Sequence, residues 1–327
     1  MDKALAAVAF AAVAAATVTL GRFRRQRTRY AQGLGLLFKR LGLMYTEEGN
    51  RYGREFQARP TDVFVTSYPK SGTTLLQQLV QQLRSGGRMD FDDIGMIMPW
   101  TLFALDVGID IDADQPYSPR AFKSHDTWEK IAKGGKYLYI VRDPVDVLLS
   151  CYYFVVDWVD VPFSAVSLDE FNTYLFCRGG TKSGNYFDHI SSWWPRRDDT
   201  NVLFLCYEDI QEDKAACVRI IADFMGVECT PELLQATLDH STKAFMAEHQ
   251  LKFYEVAMAA KCRTRMGITS MKGSVGKIRT SGSTREAVTP AMKALVKKRW
   301  DETVLPATGL ASYEELRGAV SVLRAKD

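Results

Sequence analysis

The chain has 327 residues, of which 46% are hydrophobic and 25% charged, proportions that exclude a disordered, collagenous or multi-span membrane protein. Its 42 Lys and Arg against 39 Asp and Glu give a net charge of +3. Residues 1–30 alone carry +5, from Lys3, Arg22, Arg24, Arg25, Arg27 and Arg29 against Asp2, so the remainder sits at −2 and lacks the broad basic footprint of a nucleic-acid binder.

The first segment, Ala4 to Leu20, is a run of 17 uncharged residues, nine of them alanine, ahead of the arginine cluster. As a helix it would span about 26 Å, slightly less than the roughly 30 Å of bilayer hydrocarbon. Cations that follow the apolar run are in the wrong order for a cleaved secretory peptide, and by the positive-inside rule they would leave the body in the cytoplasm. The leader therefore reads as a membrane anchor, with an Arg-rich, acid-poor organelle transit signal or a disordered start as the alternatives. The organisation expected is a leader over 1–30, a connecting segment over 31–59 and one catalytic domain over 60–327.

From residue 60 onward, short apolar runs alternate with helical periods. Asp62–Ser67, Arg120–Ser124, Lys136–Arg142 and Asn201–Tyr207 read as strands. Thr73–Arg84, Pro144–Val156 (with proline at its first turn), Asp213–Met225 and Pro231–Leu238 read as helices. Alternation of this kind predicts an α/β domain: a central parallel sheet flanked by helices, with ligands at the carboxyl ends of the strands. Residues 86–118 and 250–288 have weak periodicity and read as long binding loops. Six cysteines stand singly, without zinc spacing, and read as free thiols, a disulfide being open only in an oxidising compartment.

Thr66-Ser67-Tyr68-Pro69-Lys70-Ser71-Gly72-Thr73-Thr74 joins a strand to a helix, so backbone N–H groups, a lysine and hydroxyls converge on an anion-sized turn. The triphosphate-binding loop would place lysine after a second glycine; here lysine precedes the only glycine. Tyr-Pro-Lys-Ser-Gly-Thr-Thr resembles the 5′-phosphosulfate loop of the cytosolic-type sulfotransferases, which use 3′-phosphoadenosine 5′-phosphosulfate (PAPS). That resemblance implies donor contacts from Lys70, Ser71, Gly72, Thr73 and Thr74. About seventy residues on, Tyr139-Ile140-Val141-Arg142-Asp143-Pro144 with Ser150 is similar to the family's 3′-phosphate motif. A strand-end guanidinium can fork onto phosphate oxygens, and a serine two turns into the helix can add a hydroxyl.

Between the two lies Phe122-Lys123-Ser124-His125, similar to the family's K-x-H segment. The resemblance implies His125 as general base, with Lys123 and Lys70 as electrostatic stabilisers and no metal. The residue types suit the chemistry: an attacking hydroxyl or amine must lose a proton, and charge must be met on the departing oxygen. Further matches imply adenine contacts from Tyr207 and from Ser241 and Thr242, while Trp193-Trp194 read as core. Three positions depart from the family. Leu75 and Lys243 stand where many members carry the aromatic pair that sandwiches adenine. The loop over the 3′-phosphate matches only loosely, with Arg279 as the preferred equivalent and Lys272 to Gly276 (K-G-x-x-G) as the alternative. Trp100, Phe103, Tyr153, Phe154 and Tyr254 are candidates for an acceptor pocket.

The expectation is a P-loop-like sulfotransferase that transfers a sulfuryl group from PAPS, its co-substrate, to a hydroxyl or amine of a small molecule without a metal. A PAPS-binding protein without turnover, or a kinase-like phosphotransferase, are the rivals.

Overall fold

The computed structural model describes residues 29–179, 184–269 and 285–324. The Ala4–Leu20 leader and both readings of the 3′-phosphate loop, Arg279 and Lys272 to Gly276, lie outside these residues. Four strands form a parallel sheet in the order β2-β1-β3-β4: β1 Val63–Thr66, β2 Ala121–Ser124, β3 Lys136–Val141 and β4 Val202–Cys206. Each falls inside a stretch read as a strand, because a parallel strand buried on both faces is a nearly continuous apolar run.

Alternation along the strands feeds two cores. Val63, Val65, Leu138, Ile140, Leu203 and Leu205 pack on one side of the sheet, against the helix Thr73–Ser85 and the helix Lys214–Met225. Phe64, Phe122, Tyr137, Tyr139 and Phe204 point to the other, where Trp193 and Trp194 are buried as expected. The strand starts are pinned by a buried ion pair in which Arg120 Nε and Nη2 contact Asp62 at 2.8 and 2.6 Å. All six cysteines are free thiols, and five are buried.

Two regions hold helices that the sequence reading does not assign. Residues 31–59, expected as a connector, hold a helix over 29–42 and another at Glu47–Glu55. The second has few apolar residues and instead packs through its glycines: a Cβ at Gly53 would lie 2.4 Å from the Thr101 carbonyl oxygen, and one at Gly49 2.8 Å from that of Leu102. The segment between them is tied down by Arg265, which donates to the Met44 carbonyl at 2.6 Å. Residues 250–288 read as loop in the sequence, yet Val256–Arg265 is helical and buries Met258, Ala259, Cys262 and Arg263. Its apolar face is interrupted by lysine and arginine, which hid the period. Among the described residues no helix is long and apolar enough to cross a membrane.

Candidate active site

Every strand ends at the same edge of the sheet, and each exit carries a residue singled out above. β1 leads into the loop of Lys70, β2 into His125, β3 into Arg142 and β4 into Tyr207. The order places β1 beside β3, where the chain reverses its direction of travel across the sheet and a crevice opens. A cavity of about 420 Å³ lies there, within the range of small-molecule sites. It is lined by Lys70, Gly72, Thr73, Thr74, Lys123, His125, Arg142, Ser150, Tyr207 and Ser241 from the predicted set.

The phosphate loop is built for close backbone approach. Gly72 has φ 113°, and a Cβ on it would fall 2.7 Å from the Tyr207 ring, so only glycine fits. Gly72 also caps the helix Thr73–Ser85 with no side-chain hydrogen bond, which leaves the first helical N–H groups to a ligand. Lys70 takes a left-handed conformation, φ 71°, and its Nζ sits 3.7 Å from the centre of the Phe154 ring. The Thr73 and Ser67 hydroxyls share a 2.6 Å hydrogen bond. Ser71 does not line the cavity; its hydroxyl is buried beneath the loop.

At the end of β3, Arg142 stacks its guanidinium 4.4 Å above the Tyr207 ring, and its buried Nε has no hydrogen-bond partner. The neighbouring acids do not saturate it. Asp143 caps the helix Pro144–Trp158 by accepting from Val145 and Asp146 N–H, and it pairs with Arg285 at 2.7 Å. Asp146 also pairs with Arg285, at 2.8 Å, and lies 3.9 Å from Arg142. Ser150 projects into the same end of the cavity, which closes over Leu75, Gln211, Lys214, Lys243 and Met246. Leu75 and Lys243 thus occupy the positions where the sequence departed from an aromatic pair. Thr242 does not line the cavity: it is exposed, accepts from Phe245 N–H and caps the helix Lys243–Glu248.

His125 and Lys123 meet this region from β2. The His125 Nδ1 lies 2.7 Å from the Ser67 carbonyl oxygen. A carbonyl only accepts, so Nδ1 carries the proton and Nε2 keeps its lone pair. Burial, and next the Lys123 ammonium, hold the pKa of this ring well below the ordinary histidine value, so it is neutral at physiological pH. Behind it, His189 contacts the His125 carbonyl at 3.2 Å and Tyr139 Oη at 3.0 Å, which fixes the backbone of His125. Lys123 Nζ is held by both oxygens of Glu255, at 2.9 and 2.8 Å.

Beyond His125 the wall turns apolar: Leu41, Met44, Tyr45, Trp100, Phe154, Val155, Trp158 and Met258. Of the five aromatic candidates, Trp100 and Phe154 line the cavity. Phe103 is packed behind Trp100 with ring centres 4.6 Å apart, Tyr153 turns to Tyr152 and Phe163, and Tyr254 joins the core. Among the residues missed from sequence, Leu41, Met44 and Tyr45 come from the helix over 29–42 and the turn after it, where no local motif announces a ligand, while Val155, Trp158, Lys214, Glu255 and Met258 come from other elements that the fold brings to the cavity. The lining holds five cations, Lys70, Lys123, Arg142, Lys214 and Lys243, against two carboxylates, Asp146 and Glu255, an excess that fits a polyanionic ligand at one end.

Comparison with known proteins agrees with this geometry. The model of the sulfotransferase domain family matches residues 60–304. Human sulfotransferase 2A1 is 31% identical over 232 residues, 68% of this chain and 79% of that protein. Among solved structures, mouse sulfotransferase SULT7A1 complexed with PAP superposes with a TM-score of 0.60 at 24% identity, covering 80% of this chain and 90% of that one. Retinol dehydratase in complex with androsterone and the inactive cofactor PAP gives 0.59 at 22%, covering 78% and 84%. At these identities the two structures establish a shared fold.

Proposed function

This chain belongs to the sulfotransferase domain family, and from that membership we propose that it transfers the sulfuryl group of PAPS to the hydroxyl or amine of a small apolar acceptor. The observation that carries this reading is one cavity lined by the cations Lys70 and Arg142, by the apolar rings of Trp100 and Phe154, with Phe154 lying against Lys70, and by His125. Arg142 suits a phosphate: its unpaired Nε and its Tyr207 platform present a fixed fork. The N-terminus of the helix Thr73–Ser85, Lys70 and Thr74 suit the 5′-phosphosulfate, and Tyr207, Ser241 and Lys243 suit the nucleoside. PAPS, as co-substrate, supplies an activated sulfuryl group and a bisphosphate leaving group.

In the transfer itself, Nε2 of His125 takes the acceptor's proton as the acceptor oxygen or nitrogen forms a bond to sulfur. The bond between sulfur and the bridging phosphate oxygen breaks, and its electron pair stays on that oxygen. Lys70 and Lys123 stabilise the charge that gathers there, so that the residues alone balance the reaction. The wall of Leu41, Met44, Trp158 and Met258 favours a hydrophobic body behind the reacting hydroxyl, and the androsterone held by one structural neighbour is a compound of that kind.

Calorimetric titration tests the donor half. The protein should bind adenosine 3′,5′-bisphosphate (PAP), and binding with no preference over ATP would contradict the assignment of Arg142. Transfer of the sulfuryl group from PAPS to apolar alcohols, phenols and amines tests the acceptor half and excludes a binding protein without turnover. Activity retained in a metal chelator would exclude the kinase-like rival.

A further inference from the structure

One feature of the site has no counterpart in the motifs. Glu255 is a residue other than glycine with φ 57° and ψ 57°, in the left-handed region, between the turn Gln250–Phe253 and the helix Val256–Arg265. Its side chain is almost fully buried and grips the equally buried Lys123 with both oxygens. Lys123 Nζ also lies 4.4 Å from the centre of the Trp100 ring, whose edge meets the His125 ring at 4.7 Å. Gly95 makes room for the acid: a Cβ there would stand 3.0 Å from Glu255 Cγ. Strained backbone of this kind persists where the surroundings impose it and gathers at functional sites. Buried ion pairs, in turn, are weak contributors to stability compared with well-packed apolar residues. Stability alone is thus a poor account of this pair, whereas its position at the reacting end of the cavity supplies a chemical one.

We propose that Glu255 is a positioning residue for sulfuryl transfer, holding Lys123 charged and fixed beside His125. The inference rests on the reading of the cavity given above. Two carboxylate oxygens on one ammonium fix both its charge and its direction beside the reacting end of the cavity. The carboxylate also offsets the field of Lys123 at His125. The ammonium disfavours a proton on that ring and the Glu255 carboxylate favours it, so Glu255 eases the proton's arrival during transfer. Donor binding is assigned instead to Lys70 and Arg142.

The test is a double-mutant cycle in the full chain, with kcat at saturating PAPS and acceptor, donor KM and calorimetric affinity for PAP as readouts. Glu255→Gln preserves the side-chain volume and should lower kcat by about ten- to a hundredfold, with PAP affinity within about threefold of wild type. In a Lys123→Met background, the same substitution should change the residual rate by less than about threefold, because its effect passes through the missing ammonium. Glu255→Asp, whose carboxylate is one methylene shorter, should give an intermediate kcat and serves where an orphaned ammonium prevents the Gln variant from folding. An unchanged kcat in Glu255→Gln would overturn the proposal. So would an equal loss in both backgrounds, or a loss confined to PAP affinity. Failure of the wild-type protein to transfer sulfuryl from PAPS would instead overturn the reading beneath it.

Discussion

Replacing His125 by alanine tests the step on which the proposed chemistry turns. The ring donates from Nδ1 to the Ser67 carbonyl and is neutral because burial and Lys123 both oppose its protonation. A depressed pKa leaves the base form dominant at neutral pH, so the wild-type rate should hold as pH falls from 8 through about 6.5, the ordinary histidine value. It should drop only below that point, as the ring begins to take up a proton. Losing a general base costs about two to four orders of magnitude in turnover, or about 3 to 5 kcal/mol in the barrier. The ring takes no part in gripping the nucleotide end, so His125→Ala should bind PAP within about threefold of wild type while losing that turnover. The assay pairs acceptor kinetics at saturating PAPS with calorimetric titration of PAP. A variant within tenfold of wild-type kcat, or an acid limb at or above about pH 6.5 in the wild type, would refute the assignment.

The other consequences separate the parts of the site. Arg142→Ala should act mainly on the ground state, weakening PAP and raising the donor KM, whereas Lys70→Ala should both weaken PAP and cut turnover about a hundredfold; steady-state kinetics with calorimetry distinguishes them. Deleting residues 1–28 should leave the kinetics intact, but deleting 1–45 should raise the acceptor KM or abolish folding, because Leu41, Met44 and Tyr45 form part of the cavity wall; two truncations assayed side by side decide this. His189 is fully buried, and burial drives its pKa down to about 3. The unfolded chain therefore binds a proton that the folded one excludes, and stability should fall as pH drops from about 6.5 toward 3, by up to about 1.4 kcal/mol per pH unit from this ring. Chemical denaturation at pH 7, 6 and 5 measures that slope, and His189→Gln should reduce it; an unchanged slope would show that another group carries it.

What the sequence made legible follows from where the information lies. The strands are short apolar runs bounded by turns, and Lys70, Gly72 and Arg142 stand at strand ends within local patterns, so their convergence could be read before the sheet order was known. The helix Glu47–Glu55 was hidden because its packing depends on backbone contact at Gly49 and Gly53, which leaves no apolar stripe. The apolar cavity wall was half missed for a similar reason: Leu41 and Met44 belong to a segment whose relation to His125 is purely tertiary. Glu255 was invisible as a site residue, since its partner lies 132 positions away and a lone acid in a basic loop is usually solvated. Thr242 shows the ambiguity of a hydroxyl before a helix, which serves equally as a cap and as a ligand contact.

On the proposed reading, this cavity moves a sulfuryl group from PAPS to an apolar acceptor across His125. Mass spectrometry of a panel of apolar alcohols, phenols and amines, incubated with PAPS and either the wild-type protein or His125→Ala, tests it most directly. Products heavier by one sulfuryl group are expected with the wild type, formed with stoichiometric release of PAP and reduced at least a hundredfold in the variant. Products carrying a phosphoryl group, or sulfated products formed equally by both proteins, would contradict it.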